Sequence, residues 1–162
     1  MRADFKNTVL IGAVSGAAAG MMMGIFEMVI GLLQGMSFFA PLDAIGHIAN
    51  QGVSLMHNSG TLIGEGLVIH MIISMMLGVA FAVIVTQLKA LRSNASLAVL
   101  FTTAAALAVG VLNEFVIWPA LDKSVTSMLH PATFLLGHIV FGAFVGIAIV
   151  KSSINKDQLV SA

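Results

Sequence analysis

Cysteine is absent from this 162-residue chain, which excludes disulfides, thiolate metal ligands and covalent c-type haem attachment while saying nothing of compartment. Charge is scarce too. Only 9% of residues are Asp, Glu, Lys or Arg, against about 25% in an ordinary soluble domain. The formal net charge is zero, so nothing marks a nucleic-acid partner, and no basic run marks a lipid-headgroup patch. Enzyme signatures are missing as well: the chain has no Gly-x-Ser-x-Gly, no Gly-rich phosphate loop and no zinc-protease motif, and it is expected not to be an enzyme. Asp43, His47 and His57 share one loop, but almost any His-bearing loop could be assembled into acid/base chemistry.

What is present is hydrocarbon. Apolar residues make up 59% of the chain and mean hydropathy is +1.04. A spanning helix takes roughly 20 mostly apolar residues, and four stretches qualify, at about 8–34, 62–86, 96–118 and 132–150. The expected fold is an all-α integral membrane protein, a single domain over 1–162 with four transmembrane helices in a bundle. Met1-Arg2-Ala3-Asp4-Phe5-Lys6 has the look of a signal-peptide n-region, with Ser15-Gly16-Ala17 as its cleavage site. The apolar run, however, continues through Met21-Met22-Met23 to Leu33, so an uncleaved first helix is expected. Arg2, Lys6, Lys89, Arg92, Lys151 and Lys156 fall on one side of a four-span topology and only Lys123 on the other. The positive-inside rule then makes both termini cytoplasmic, in a plasma (inner) membrane.

The two halves of the chain echo one another. At an offset of 87, residues 14–31 align with 101–118, setting Ala17-Ala18-Ala19 on Ala104-Ala105-Ala106 and Glu27-Met28-Val29-Ile30 on Glu114-Phe115-Val116-Ile117. At an offset of 68, His70, Gly78 and Ala80 fall on His138, Gly146 and Ala148. A duplicated two-helix unit, over 8–86 and 95–154, would explain both. Two spans per unit would relate the halves by an axis along the membrane normal, with Glu27 opposite Glu114 and His70 opposite His138.

Ionisable groups in apolar helices are costly and usually face a bundle interior. Glu27, His70 and Glu114 each lie about 30 Å along a helix from the cytoplasmic boundary at 1.5 Å per residue, which places the set in the outer third of the membrane. His70 is followed at helical spacing by Ser74 and Gly78, and His138 by Gly142 and Gly146. Helix 1 carries Gly12, Gly16, Gly20 and Gly24 ahead of Glu27. Such ridges let helices approach closely in lipid, either within the chain or as a homodimer seam. Apolar positions between Pro41 and Met56 recur at helical intervals, so a short interfacial helix is expected to cap the site, and one or two helical turns are expected to do the same in the shorter outer loop between Pro119 and Pro131. Pro119 and Pro131 are expected to end helix 3 and open helix 4, while Trp118 and Phe38-Phe39 read as interfacial anchors.

Two His and two Glu at one depth compose a plausible coordination sphere, since four-helix bundles build metal sites from facing helices. The leading expectation is therefore non-catalytic binding of a transition metal ion or haem b by His70, His138, Glu27 and Glu114. His47, His57, His130, Asp43 and Glu65 would add ligands in the outer loops. Against it, each His can simply donate to a neighbouring hydroxyl or carbonyl. Eleven methionines admit a Cu(I) reading, but Met71 and Met75 are offset from the His70 ridge. The alternatives are an accessory or assembly subunit of a membrane complex with no cofactor, and a proton-coupled transporter or channel acting as an oligomer. Expected partners are the bilayer and either further copies of the chain or other membrane subunits.

Overall fold

The computed structural model describes residues 5–50, 59–121 and 130–160. Among these the chain is all helix: α1 (Phe5–Leu33), α2 (Ala40–Ala49), α3 (Ser59–Gln87), α4 (Lys89–Ser93), α5 (Ala95–Leu112), a π-helical turn (Asn113–Ile117), α6 (Trp118–Leu121) and α7 (Pro131–Val160). Four segments, Phe5–Leu33, Gly60–Gln87, Ala95–Leu121 and Pro131–Ser152, are long and apolar enough to cross a membrane. The chain is a multi-pass membrane protein.

Local chemistry sets the helix ends. Gly35 has φ +83°, the left-handed conformation that terminates helices. The Met36 N–H donates to the Gly31 carbonyl and the Gly35 N–H to Leu32, each at 3.0 Å, closing α1 in a Schellman motif. At the start of α5 the Asn94 side chain accepts from the Leu97 N–H at 3.0 Å, a capping bond typical of Asn. Pro131 opens α7, where its missing N–H removes nothing.

Pro119 does not end its helix. It lacks an N–H and its ring would crowd the carbonyl four residues back; the chain instead widens by one residue into the π turn, where the Trp118 N–H reaches the Asn113 carbonyl. Helix resumes through Leu121. Trp118 is likewise no interfacial anchor: it is buried, with its ring centroid 4.4 Å from that of Phe134.

The spans pack as two close pairs, α1 with α3 and α5 with α7, joined by an α1–α7 seam; α3 and α5 lack any comparable contact among the described residues. Both pairs are built on small residues. A Cβ added to Gly16 would stand 3.0 Å from Gly78 Cα, and one added to Gly78 2.6 Å from Gly16 Cα. In the second pair a Cβ on Gly142 would meet Thr103 Cα at 2.6 Å and one on Gly146 would meet Val99 Cα at 2.9 Å. With such backbone proximity, dispersion and packing hold the helices where lipid removes the hydrophobic drive. Ser15 donates to the Gly12 carbonyl (3.1 Å) and Thr103 to that of Val99 (2.8 Å), so each of these hydroxyls is satisfied by its own helix in hydrocarbon. Phe81, Phe141, Val145 and Ile149 fill the core toward the end that holds α4.

At the opposite end α2 lies on α3. Gly46 packs against the Leu62 carbonyl and Gly66 against the Leu42 carbonyl. The short helix expected in the long loop is thus present over Ala40–Ala49, and the remainder of the loop, including His57, lies outside the described residues.

Candidate functional site

The four intramembrane groups occupy two levels. Glu27 and Glu114 form the level nearer α2; they are 6% and 4% exposed, and their charges are close enough to interact. His70 and His138 form the second, again within electrostatic reach of one another.

Each imidazole is anchored to backbone. The His70 ring crosses from α3 to α1 and donates Nε2–H to the Gly20 carbonyl at 2.9 Å. The buried His138 ring donates Nδ1–H to the Phe134 carbonyl of its own helix at 3.0 Å and lies 4.4 Å from the Phe134 ring. Because a carbonyl can only accept, the nitrogen that faces it carries a proton, Nε2 in His70 and Nδ1 in His138. Space for them is made by glycine. Gly24 faces His70 Nε2, and a Cβ on Gly110 would stand 2.7 Å from His138 Cγ.

The carboxylates are placed differently. Gly137, on α7, faces Glu27: a Cβ there would run into Oε1, and would meet Cδ and Cγ at 2.9 Å. Glu27 Oε1 and Glu114 Oε2 are buried without a hydrogen-bond partner. Glu114 sits in the π turn, and that turn sends Phe115 and Val116 out to lipid at 60% and 56% exposure while holding Glu114 in. Above Glu27 lies a small crevice of about 10 Å³, room for a single water, lined by Glu27, Met36, Pro41, His130, Thr133 and Phe134. Its rim is tied by Gln34, whose amide donates to the Thr133 hydroxyl at 3.1 Å.

A metal or haem site does not form. No three His, Cys, Asp or Glu residues among the described ones come together in a way that could hold a metal ion. His70, His138, Glu27 and Glu114 share a region, but the imidazoles turn to separate carbonyls on α1 and α7, and neither carboxylate shares a ligand position with them. Among the described residues neither a metal site nor a haem b site is found. The outer ligands disperse as well. Glu65 accepts from the Asn50 amide, Asp43 Oδ1 is buried and unpartnered, His47 and His130 are exposed, and His57 lies outside the described residues.

The seven ridge glycines all stand near a neighbouring helix. Gly12, Gly16 and Gly20 face α3, Gly24 faces His70, Gly78 faces α1, and Gly142 and Gly146 face α5. The helix 1 ridge is therefore filled within the chain by α3. Gly110 and Gly137 lie outside the ridges visible in the sequence, although each holds open the space for an ionisable side chain. The available signal was position: Gly137 adjoins His138, and Gly110 precedes Glu114 by one helical turn.

No protein family matches the chain, and no curated protein and no solved structure matches it.

Proposed function

We propose that this protein is a non-enzymatic accessory or assembly subunit of a membrane complex, a helix-packing module without a cofactor. The observation that carries this is the use made of the two imidazoles, the groups best suited to ligation: His70 ties α3 to the Gly20 carbonyl of α1, and His138 is held by the Phe134 carbonyl of its own helix. Apolar surface for a partner is available. The α5 span is only 22% buried against 50% for α7, and Leu100, Val111, Phe115 and Val116 present large side chains along it. A partner helix, from a second copy or another subunit, would seat on α5 where α3 does not pack. The equivalent contacts Gly16–Ser74 and Thr103–Gly142 favour an origin by duplication of a two-helix unit. Basic residues at the termini end favour cytoplasmic termini in a plasma membrane.

The test is native mass spectrometry of the full chain released from its own membranes into lipid nanodiscs. A discrete assembly of fixed stoichiometry, disrupted by Leu100→Trp or Val111→Trp, is expected. A lone monomer would overturn the proposal.

A further inference from the structure

Packing accounts for the imidazoles and the glycine ridges but not for the carboxylates. Glu27 is 94% buried by the complement of its 6% exposure, and its Oε1 has no hydrogen-bond partner. Leaving a carboxylate oxygen dehydrated and unbonded is expensive, and a structural anchor would have been given a donor. Hydrocarbon or an amide would fill the same space at lower cost.

The surroundings of Glu27 can be enumerated by element. On α7 stand Gly137 against the carboxyl, His138 committed to Phe134, and the exposed His130 at the crevice. On α2, Pro41 lines the crevice, Asp43 has an unpartnered Oδ1, and His47 is exposed. On α3, His70 donates to Gly20 and Glu65 accepts from Asn50. The π turn contributes Glu114. Lys6, Lys89, Arg92 and Lys151 lie toward the other ends of their helices. Among the described residues no fixed cation stands beside Glu27, and no three potential ligands gather for a metal ion. The small positive species that remains, and that a water-sized crevice can deliver, is a proton.

We propose that Glu27 is a proton-binding site served by the crevice between α2 and the start of α7. The carboxylate takes a proton from hydronium in the crevice, forming one O–H bond and releasing water, and returns it by the same route. Gly137 is the residue that lets the carboxyl reach this position. The site stands independently of the assembly role: a monomer could carry it, and a subunit could lack it.

The experiment is infrared spectroscopy of the full chain in vesicles whose two faces are buffered separately. The carbonyl stretch of a protonated carboxylic acid is followed against pH on each side. The chain has three glutamates, Glu27, Glu65 and Glu114, so carbon-13 glutamate labelling assigns the band to them without any substitution. A band that appears and disappears with the buffer on the α2 face, is lost in Glu27→Gln, and has its midpoint displaced in Glu114→Gln is expected. A band absent at every pH, a band present at every pH, or one that follows the buffer on the termini face would each overturn the proposal. If Glu27→Gln fails to fold, the labelled Glu65→Gln/Glu114→Gln protein, in which Glu27 is the one remaining glutamate, still gives all three of those outcomes.

Discussion

His70 on α3 donates its Nε2–H to the carbonyl of Gly20 on α1 across 2.9 Å, a side-chain bond that spans the glycine seam between the two helices. Interhelical bonds of this kind in membranes are worth about 0.6 kcal/mol on average and up to about 1.7. His70→Ala is expected to lower resistance to denaturing detergent by an amount in that range. Unfolding titrations in bicelles check this, and wild-type stability in the variant would show that the bond holds nothing.

The α1–α3 seam offers a larger effect. A Cβ at Gly16 meets the Ser74 carbonyl and stands 3.1 Å from Met75 Cα, and backbone can yield little. Gly16→Val should destabilise by about 1–3 kcal/mol, the usual range for overpacking. Leu10→Val, at a position 61% exposed on the same helix, should stay within about 0.5 kcal/mol. Equal effects at the two positions would contradict the seam.

Gly137 and Glu27 should be energetically coupled. Gly137→Ala displaces the carboxyl in the wild-type background, yet it should cost little once Glu27→Ala has emptied the space. A double-mutant cycle is expected to give a coupling of about 0.5–3 kcal/mol, measured by the same unfolding titration. Additive costs would mean that the carboxyl does not lie over Gly137.

The π turn reports through fluorescence. Trp118 is the only tryptophan, and it follows the turn directly while stacking on Phe134 at 4.4 Å. Pro119→Ala restores the missing N–H and permits an unbroken α-helix, which would rotate everything beyond the turn by about 100° per residue removed. Emission from Trp118 should shift and its accessibility to lipid-phase quenchers should rise. An unchanged spectrum would show that the π turn survives without proline.

The spans were legible in composition because hydrocarbon imposes one rule over some 20 residues at a time, and α2 in the periodicity after Pro41 because one face of it must be covered. Even the residues worth attention could be read, since Glu27, Glu114, His70 and His138 are conspicuous where almost everything else is apolar. Their chemistry could not. Equal depth along four helices made one shared ligand sphere reasonable, but depth carries no information on direction, and direction depends on which helices touch. With α1 and α7 packed and α3 and α5 apart, the imidazoles find carbonyls at Gly20 and Phe134 while Glu27 Oε1 and Glu114 Oε2 are left without a donor.

The π turn shows the same division. Sequence supplies a proline that cannot donate, which determines that the α-helical pattern must change near Pro119. Whether the chain stops or widens there is a tertiary choice: burying Trp118 against Phe134 and Glu114 within the bundle favours a wider turn over a broken helix. Sequence alone therefore determined that the chain crosses a membrane and which few polar groups it carries there, because burial in lipid is a property of single segments. Only the tertiary structure decided what those groups do, because a hydrogen bond needs a partner from a neighbouring turn or helix, and the choice of neighbour rests on glycines whose spacing is visible but whose contacts are not.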